Sequence, residues 1–119
     1  MGIALSKQLC GKVICPFLWP FAGVSGHWDQ IIIRAYAVIG GARTLYQEGP
    51  LAAMRHPDDL IARYGSGKGL AAQTIMFCGT LGAKGGIRPA ARFEMELDDP
   101  VLKRRMTEAY DIISLPVIT

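Results

Sequence analysis

Residues 76–97 read MFCGTLGAKGGIRPAARFEMEL, and the fold that the sequence predicts depends on this stretch. Its end, FEMEL at residues 93–97, alternates strictly between apolar and acidic side chains. Alternation of period two is typical of a half-buried β-strand, in which successive side chains point to opposite faces. We therefore expect the three apolar side chains to face a core, and Glu94 and Glu96 to face away from it.

The same stretch begins with a short apolar run, Met76 to Cys78, which predicts a second strand. A bend at Gly79 and Thr80 follows, and then a loop that carries three more glycines. A glycine loop between two strands is a common way to leave backbone N–H groups open towards an anion. Gly79 and Thr80 are therefore the candidate residues for binding a ligand.

Length and composition limit the function classes. The chain has 119 residues, of which 50% are hydrophobic, so it forms one domain at most and has enough apolar residues for a core. The net charge of +3 comes from scattered basic residues and gives no nucleic-acid footprint. No apolar run approaches the roughly 20 residues that span a bilayer, so no membrane partner is expected. Three cysteines without framework spacing predict a reduced, cytoplasmic protein.

Two further elements have clear local signals. Two β-rich runs flank Gly40 and Gly41, and a glycine pair that tolerates positive φ predicts a tight hairpin. The segment Pro57 to Gly65 has a proline and two aspartates at its start and a glycine at its end, which predicts a short helix.

The segment from Val101 to Ile113 leaves two alternatives. Local propensity favours a helix through Lys103 to Ala109. A strand that returns beside residues 92–98 would instead place Met106 and Tyr110 on one face, and we take this alternative, partly because of the resemblance given next. The predicted fold is mainly β and antiparallel, with one or two short helices.

The order of these motifs resembles the C-terminal half of the fumarylacetoacetate hydrolase-like superfamily, and within it a bacterial branch described as a domain of unknown function. The resemblance lies in FCGTL at residues 77–81, the glycine pair at 85–86, RPAARFEMEL at 88–97 and YQEG at 46–49, and it extends from about Gly2 to Val117. It implies a partial β roll of that superfamily, which works as a homodimer. Residues 1–119 would then be the C-terminal portion of a single domain.

The resemblance also implies a chemistry. Members of the superfamily use Mg²⁺ or Mn²⁺ to polarise a small 2-oxo or β-diketo acid, which they hydrolyse, decarboxylate, hydrate or isomerise. On this basis Lys7 falls at the position of a catalytic lysine, and Gly79 and Thr80 fall where the substrate carboxylate is held. The metal carboxylates of the superfamily precede the segment around Lys7, so no cofactor is expected for this chain alone. Glu94 and Glu96 have the same Glu-x-Glu spacing as the metal pair of the superfamily. The interpretation that they lie on a solvated strand face is favoured.

A second interpretation is a non-catalytic binding or assembly module of the same fold. The remaining polar candidates give no support to either function. His27 and His56 have no carboxylate or nucleophile at a telling spacing, and Gln47 and Glu48 lie at a strand end. Trp19 and Trp28 are predicted to be core or interface aromatics, and they complete the set of candidates.

Overall fold

The computed structural model describes residues 9–65 and 69–114 of the chain. Its centre is a four-stranded antiparallel sheet with the strand order β2-β1-β3-β4. The strands are β1 (Ile32–Ile39), β2 (Ala42–Pro50), β3 (Arg92–Asp99) and β4 (Arg104–Asp111). The prediction of a mainly β, antiparallel fold is confirmed at this level.

The hairpin around Gly40 and Gly41 is confirmed. β1 ends one residue before this pair, β2 begins one residue after it, and the two glycines have φ angles of 58° and 82°. Positive φ at both central residues is the geometry that matches the twist of two antiparallel strands, and glycine adopts it without a steric penalty. A bulge between Ala35 and Tyr36 lets Tyr46 turn to the same face as Gln47.

The second hairpin decides between the two alternatives for the C-terminal segment. Residues Arg104 to Asp111 form β4, which pairs with β3 from Arg92↔Asp111 to Asp99↔Arg104. The strand prediction is confirmed, and the local helix propensity is overridden because the cross-strand pairing buries Met106 and Tyr110 partly against the sheet.

The two faces of the sheet differ in chemistry. One face carries apolar residues and is covered by the N-terminal segment, residues 9–31, whereas the other carries a network of ion pairs. Arg34 lies in the centre of this charged face and contacts Glu48, Glu96 and Asp98 at 2.7, 3.0 and 2.9 Å. Glu94 and Glu96 point away from the apolar face, as predicted. The interpretation of this face as solvated is only partly correct, because the side chain of Glu96 is only 13% exposed.

An α-helix, α1, spans Pro57–Gly65, with Asp58 and Asp59 in its first turn. The predicted helix is therefore confirmed. Shorter 3-10 helices occupy Phe21–Gly23, Ser25–Gln30 and Leu51–Ala53. Among the described residues, no helix is long and apolar enough to cross a membrane.

The predicted strand at Met76 to Cys78 is wrong. Residues 69–91 contain no helix or strand. The segment approaches the edge strand β2, but a single backbone hydrogen bond, from Lys84 N–H to Tyr46 C=O at 2.7 Å, joins them, and the Tyr46 hydroxyl accepts a second bond from Arg88 N–H at 3.1 Å. Positive φ angles at Gly79, Gly85 and Gly86, of 112°, 77° and 86°, turn the chain too often for a continuous ladder.

The buried core is small. Among the described residues, the buried apolar side chains are those of Val24, Ile31, Ala35, Ala37 and Leu51. Val24, Ile31 and Leu51 pack together where the N-terminal segment meets the sheet, and Trp19 and Trp28 pack against this cluster. The prediction that both tryptophans belong to the core or its margin agrees with this packing. The rest of the apolar face is left to line a cavity.

Candidate functional site

A cavity of about 580 Å³ lies between the apolar face of the sheet, the N-terminal segment and the bend at residues 78–81. Its volume is within the range of small-molecule sites, about 300–1,000 Å³. Most of the side chains that line it are apolar or aromatic, and the polar ones are few. The apolar set includes Leu18, Trp19, Phe21, Trp28, Ile33, Leu51, Met54, Leu81, Phe93, Met95, Leu97 and Met106.

Gly79 and Thr80, the predicted binding residues, both line this cavity and are exposed. Gly79 has a φ of 112°, a conformation that side chains rarely adopt. Among the described residues, no hydrogen bond is donated by the backbone N–H groups of Gly79, Thr80 or Leu81. The bend therefore presents unpaired donors beside the cavity.

Gln47 holds this bend in place. Its side-chain amide donates to the Thr80 hydroxyl at 2.8 Å and to the Leu81 carbonyl at 2.6 Å. The Thr80 hydroxyl thus accepts one hydrogen bond, and its own contact to the Leu81 carbonyl is 3.4 Å, longer than a usual O–H···O bond of roughly 2.5–3.0 Å. The Thr80 proton is consequently available to a ligand oxygen.

The strand below also shapes the bend. A Cβ atom on Gly49 of β2 would lie 3.1 Å from Cδ1 of Leu81. Because Gly49 has no side chain, Leu81 packs directly against β2. This contact places Thr80 at the cavity wall. Gln47 and Gly49 thus position the two candidate residues from one strand, across a sequence separation of about 30 residues.

Arg55 supplies a cationic group to the same cavity. Its side chain is 59% exposed, and its Nη1 lies 3.2 Å from the carboxylate of Asp59 in α1. Arg34 also contributes to the lining, but its guanidinium is engaged by three carboxylates. The sequence analysis missed Arg55 and did not choose Gln47 as a site residue. Neither residue belongs to a motif, and the folding of the chain brings both of them to the cavity.

Glu94 and Glu96 do not form a metal pair in this arrangement. Arg43 donates to the Glu94 carboxylate at 2.9 Å and lowers the pKa of that group, while Glu96 is bound by Arg34. Within the described ranges, no group of three or more His, Cys, Asp or Glu side chains is placed to hold a metal ion. The described residues therefore do not fit the divalent cation that the resemblance implies, and we derive no step through it.

Asp99 forms a separate buried cluster at the end of β3. Its side chain is fully buried, His27 Nε2 lies 2.8 Å from Oδ2, and Oδ1 accepts the backbone N–H groups of Val101 and Leu102 at 3.1 and 3.2 Å. Burial raises the pKa of this carboxyl, but the hydrogen bonds from His27, Leu102 and Arg104 lower the pKa by more. The sequence gives no signal for this pair, because His27 and Asp99 are 72 residues apart.

The predicted catalytic residue, Lys7, lies outside the described residues. Its position relative to Gly79 and Thr80 stays a prediction.

A comparison with protein-family models found a family described as "Protein of unknown function (DUF2848)", whose model matches residues 1–110. The chain belongs to this family. The residues that line the cavity lie between Val13 and Glu108, so the DUF2848 match covers all of them. Searches of curated proteins and of solved structures found no match to the chain.

Proposed function

We propose that this DUF2848 chain is the substrate-binding part of a hydrolase-, lyase- or hydratase-type enzyme that acts on a small 2-oxo or β-diketo acid. The observation that carries the proposal is the bend at Gly79 and Thr80, whose N–H groups have no partner within the described ranges and whose hydroxyl is available, at the wall of a largely apolar cavity. The resemblance of residues 77–97 to the fumarylacetoacetate hydrolase-like superfamily supports the same assignment.

The residues of this chain bind and orient the acid. The N–H groups of Gly79 and Thr80 and the Thr80 hydroxyl donate to the carboxylate, and each such bond to a charged group contributes about 1.5–3 kcal/mol. Arg55 lies at the same cavity and is paired with Asp59. The apolar walls contact the hydrocarbon part of the acid and remove that surface from water.

The chemistry of the reaction belongs to a cation and to groups beyond the described residues. Mg²⁺ or Mn²⁺, as the resemblance implies, would supply Lewis-acid chemistry if such groups held it. Lys7 is assigned as the catalytic lysine that would stabilise negative charge on the substrate. The proposal also includes the β roll of the superfamily, a homodimer and a cytoplasmic location, the last of which the free thiols of the three cysteines support.

A second candidate function is a non-catalytic binding or assembly module. The observation that favours it is the exposure of large apolar side chains in the N-terminal segment and the loop, namely 67% for Phe17, 82% for Leu18 and 87% for Ile87. Contiguous exposed apolar surface is typical of protein interaction sites. Under this alternative the chain would bind a partner protein and discriminate poorly between an oxo acid and a neutral ketone.

Calorimetric titration with 2-oxobutanoate, and with 2-butanone as the neutral control, tests the proposal. The acid should bind and the ketone should not. Thr80→Val should weaken binding of the acid about tenfold, which corresponds to the loss of one charged hydrogen bond. Thr44→Val is the matched control, because it removes a hydroxyl that bonds Ala42 C=O and does not line the cavity.

Equal affinity of wild type and Thr80→Val for the acid, with unchanged melting temperatures, would remove Thr80 from the site. Equal binding of acid and ketone would favour the assembly module. Titration with Mg²⁺ or Mn²⁺ alone should give no site tighter than about millimolar. A micromolar cation site would contradict the expectation that this chain alone binds no cofactor.

A further inference from the structure

The floor of the cavity is a row of residues that crosses all four strands. Gln47 on β2 pairs with Ala35 on β1, Ala35 pairs with Met95 on β3, and Met95 pairs with Glu108 on β4. All four residues line the cavity. Three strand spacings of roughly 4.8 Å give a floor of about 14 Å. The bend at Thr80 stands over one end of this row, because Gln47 bonds it.

The floor is apolar between its two ends. Ala35, in the middle, is buried, with 5% of its surface exposed, and it lines the cavity with a small apolar side chain. Met95 follows it, and Met54 and Met106 line the cavity on either side. Methionine side chains are flexible and polarisable, so these walls can adapt to hydrocarbon groups of different shape.

The cavity has room for more atoms than a short oxo acid contains. At the volume that a water molecule occupies, about 30 Å³, a space of 580 Å³ holds up to about nineteen non-hydrogen atoms. An acid such as 2-oxobutanoate has fewer than half as many. The remaining space lies along the apolar floor. A hydrocarbon group that covers this floor contributes about 25 cal/mol to the free energy of binding for each Å² of apolar surface that it removes from water.

The far end of the floor carries a negative group. Glu108 ends the row on the edge strand β4, and its Oε1 accepts the N–H of Ala109 at 2.9 Å. A second carboxylate on the ligand would approach this side chain and be repelled. The charge arrangement thus favours one carboxylate, at the Thr80 end.

We propose that the cavity takes a hydrophobic monocarboxylic acid with a hydrocarbon body of about six to twelve carbons, whose carboxylate lies at Gly79 and Thr80 and whose body lies across Ala35 and Met95. This inference rests on the proposed function and deepens it, because it names the substrate class of the same site. The body is an acyl chain or an aromatic group, which share the chemistry that the walls recognise.

A ligand series on the intact chain tests the inference. The probes are 2-oxo acids of increasing length from 2-oxobutanoate to 2-oxodecanoate, together with phenylpyruvate for an aromatic body. Octanoate, 1-octanol and the eight-carbon dicarboxylate suberate form the second set. Affinity should rise about fourfold per methylene until the floor is filled. Octanoate should bind more tightly than 1-octanol and than suberate.

The chain contains its own reporters of occupancy. Both of its tryptophans, Trp19 and Trp28, line the cavity, so ligand binding should change the tryptophan fluorescence. Cys15 and Cys78 line the cavity as free thiols, whereas Cys10 is an exposed free thiol outside it. A bound long acid should slow the modification of Cys15 and Cys78 by a thiol reagent and leave that of Cys10 unchanged.

A variant pair separates the body from the carboxylate end. Ala35→Leu adds bulk to the middle of the floor, so 2-oxooctanoate should lose about tenfold or more in affinity, and 2-oxobutanoate should lose less because its hydrocarbon part is shorter. Val38→Leu is the control, because it adds bulk to the same strand on the charged face, where Val38 pairs with Arg43 and Arg92. It should leave both affinities unchanged.

The outcomes separate the two proposals. Carboxylates that bind with an affinity independent of length would overturn the inference about the body and leave the proposed function standing. Equal binding of 1-octanol and octanoate would overturn the carboxylate end, and with it the proposed function. No binding of any probe, by calorimetry and by thiol protection, would overturn both.

Discussion

Nε2 of His27 lies 2.8 Å from Oδ2 of the fully buried Asp99, and this contact joins the N-terminal segment to the turn between β3 and β4. An ionised carboxylate only accepts hydrogen bonds, so His27 donates its Nε2–H. Arg104 Nε adds a contact at 3.3 Å and also lies over the ring of Trp19, with its Cζ 4.4 Å from the ring centroid. One carboxylate therefore organises one wall of the cavity.

Asp99→Asn should destabilise the fold. The amide cannot accept from both backbone N–H groups and also satisfy His27 and Arg104, and a group left unpaired in a buried position is destabilising. We expect the melting temperature to fall by roughly 5 °C or more. Asp29→Asn is the control, because Asp29 is exposed, and it should change the melting temperature by less than about 1 °C.

The same carboxyl should contribute to acid denaturation. Its pKa in the folded chain lies below the ordinary value of 3.8, so its contribution to stability is present above that value and is lost as the pH falls through the folded pKa. Urea unfolding of wild type below about pH 4 should therefore lose stability more steeply than that of Asp99→Asn. Parallel slopes for the two proteins would contradict this role for Asp99.

Arg34 should stabilise the charged face of the sheet. It bonds Glu48 on β2 and Glu96 and Asp98 on β3, and these contacts raise the pKa of its guanidinium. Arg34→Met leaves three neighbouring carboxylates without their shared cation, so the free energy of unfolding at neutral pH should fall by about 2 kcal/mol. Urea denaturation measures this change.

The control for Arg34 is Arg63→Met. Arg63 is 62% exposed and bonds Asp59 within α1, and such pairs contribute about 0.3–0.5 kcal/mol. The difference in the free energy of unfolding between wild type and Arg34→Met should become smaller at low pH. Protonation of Glu48, Glu96 and Asp98 removes the repulsion among these three carboxylates. A difference that is constant from pH 7 to pH 3 would indicate lost packing rather than lost charge.

The local features of the sequence predicted much of the fold. The glycine pair at 40–41, the capped segment from Pro57 to Gly65 and the alternation at 93–97 each specify an element through contacts between near neighbours. The prediction of β4 succeeded against its helix propensity because pairing with β3 was considered. The prediction of a strand at Met76 to Cys78 was wrong because an apolar run of three residues does not specify a partner strand. The segment of residues 69–91 makes one backbone hydrogen bond to β2, from Lys84 N–H to Tyr46 C=O.

The candidate site was predicted only in part, and the reason is sequence separation. Gly79 and Thr80 were predicted because a glycine loop is a local pattern, and both line the cavity. Their support from Gln47, 33 residues away, depends on the sheet and has no signal in the sequence. The partnership of His27 and Asp99 is equally non-local.

The hairpin between β1 and β2 permits a test of backbone strain alone. A Cβ atom on Gly40 would meet nothing within 4 Å, so a substitution there changes the conformation that is required and not the packing. Gly40→Val should cost about 1–2 kcal/mol in the free energy of unfolding, since φ is 58°. Gly40→Asn is the control and should be close to neutral, because asparagine tolerates positive φ in such turns. Equal loss in both variants, measured by urea denaturation, would mean that the turn adopts another geometry.

Gln47 should control the binding site without holding the carboxylate itself. Its amide donates to the Thr80 hydroxyl and to the Leu81 carbonyl, so Gln47→Leu frees the bend while it keeps the shape of the side chain. We expect the backbone order parameters of residues 79–82, measured by NMR relaxation, to fall, and the affinity for 2-oxobutanoate to fall about tenfold, because the ligand must then order the bend. Gln30→Leu, at an exposed position before β1, is the control and should change neither measurement. If Gln47→Leu lowers the order parameters but leaves the affinity unchanged, the carboxylate does not bind at Gly79 and Thr80, since a disordered bend cannot hold it equally well.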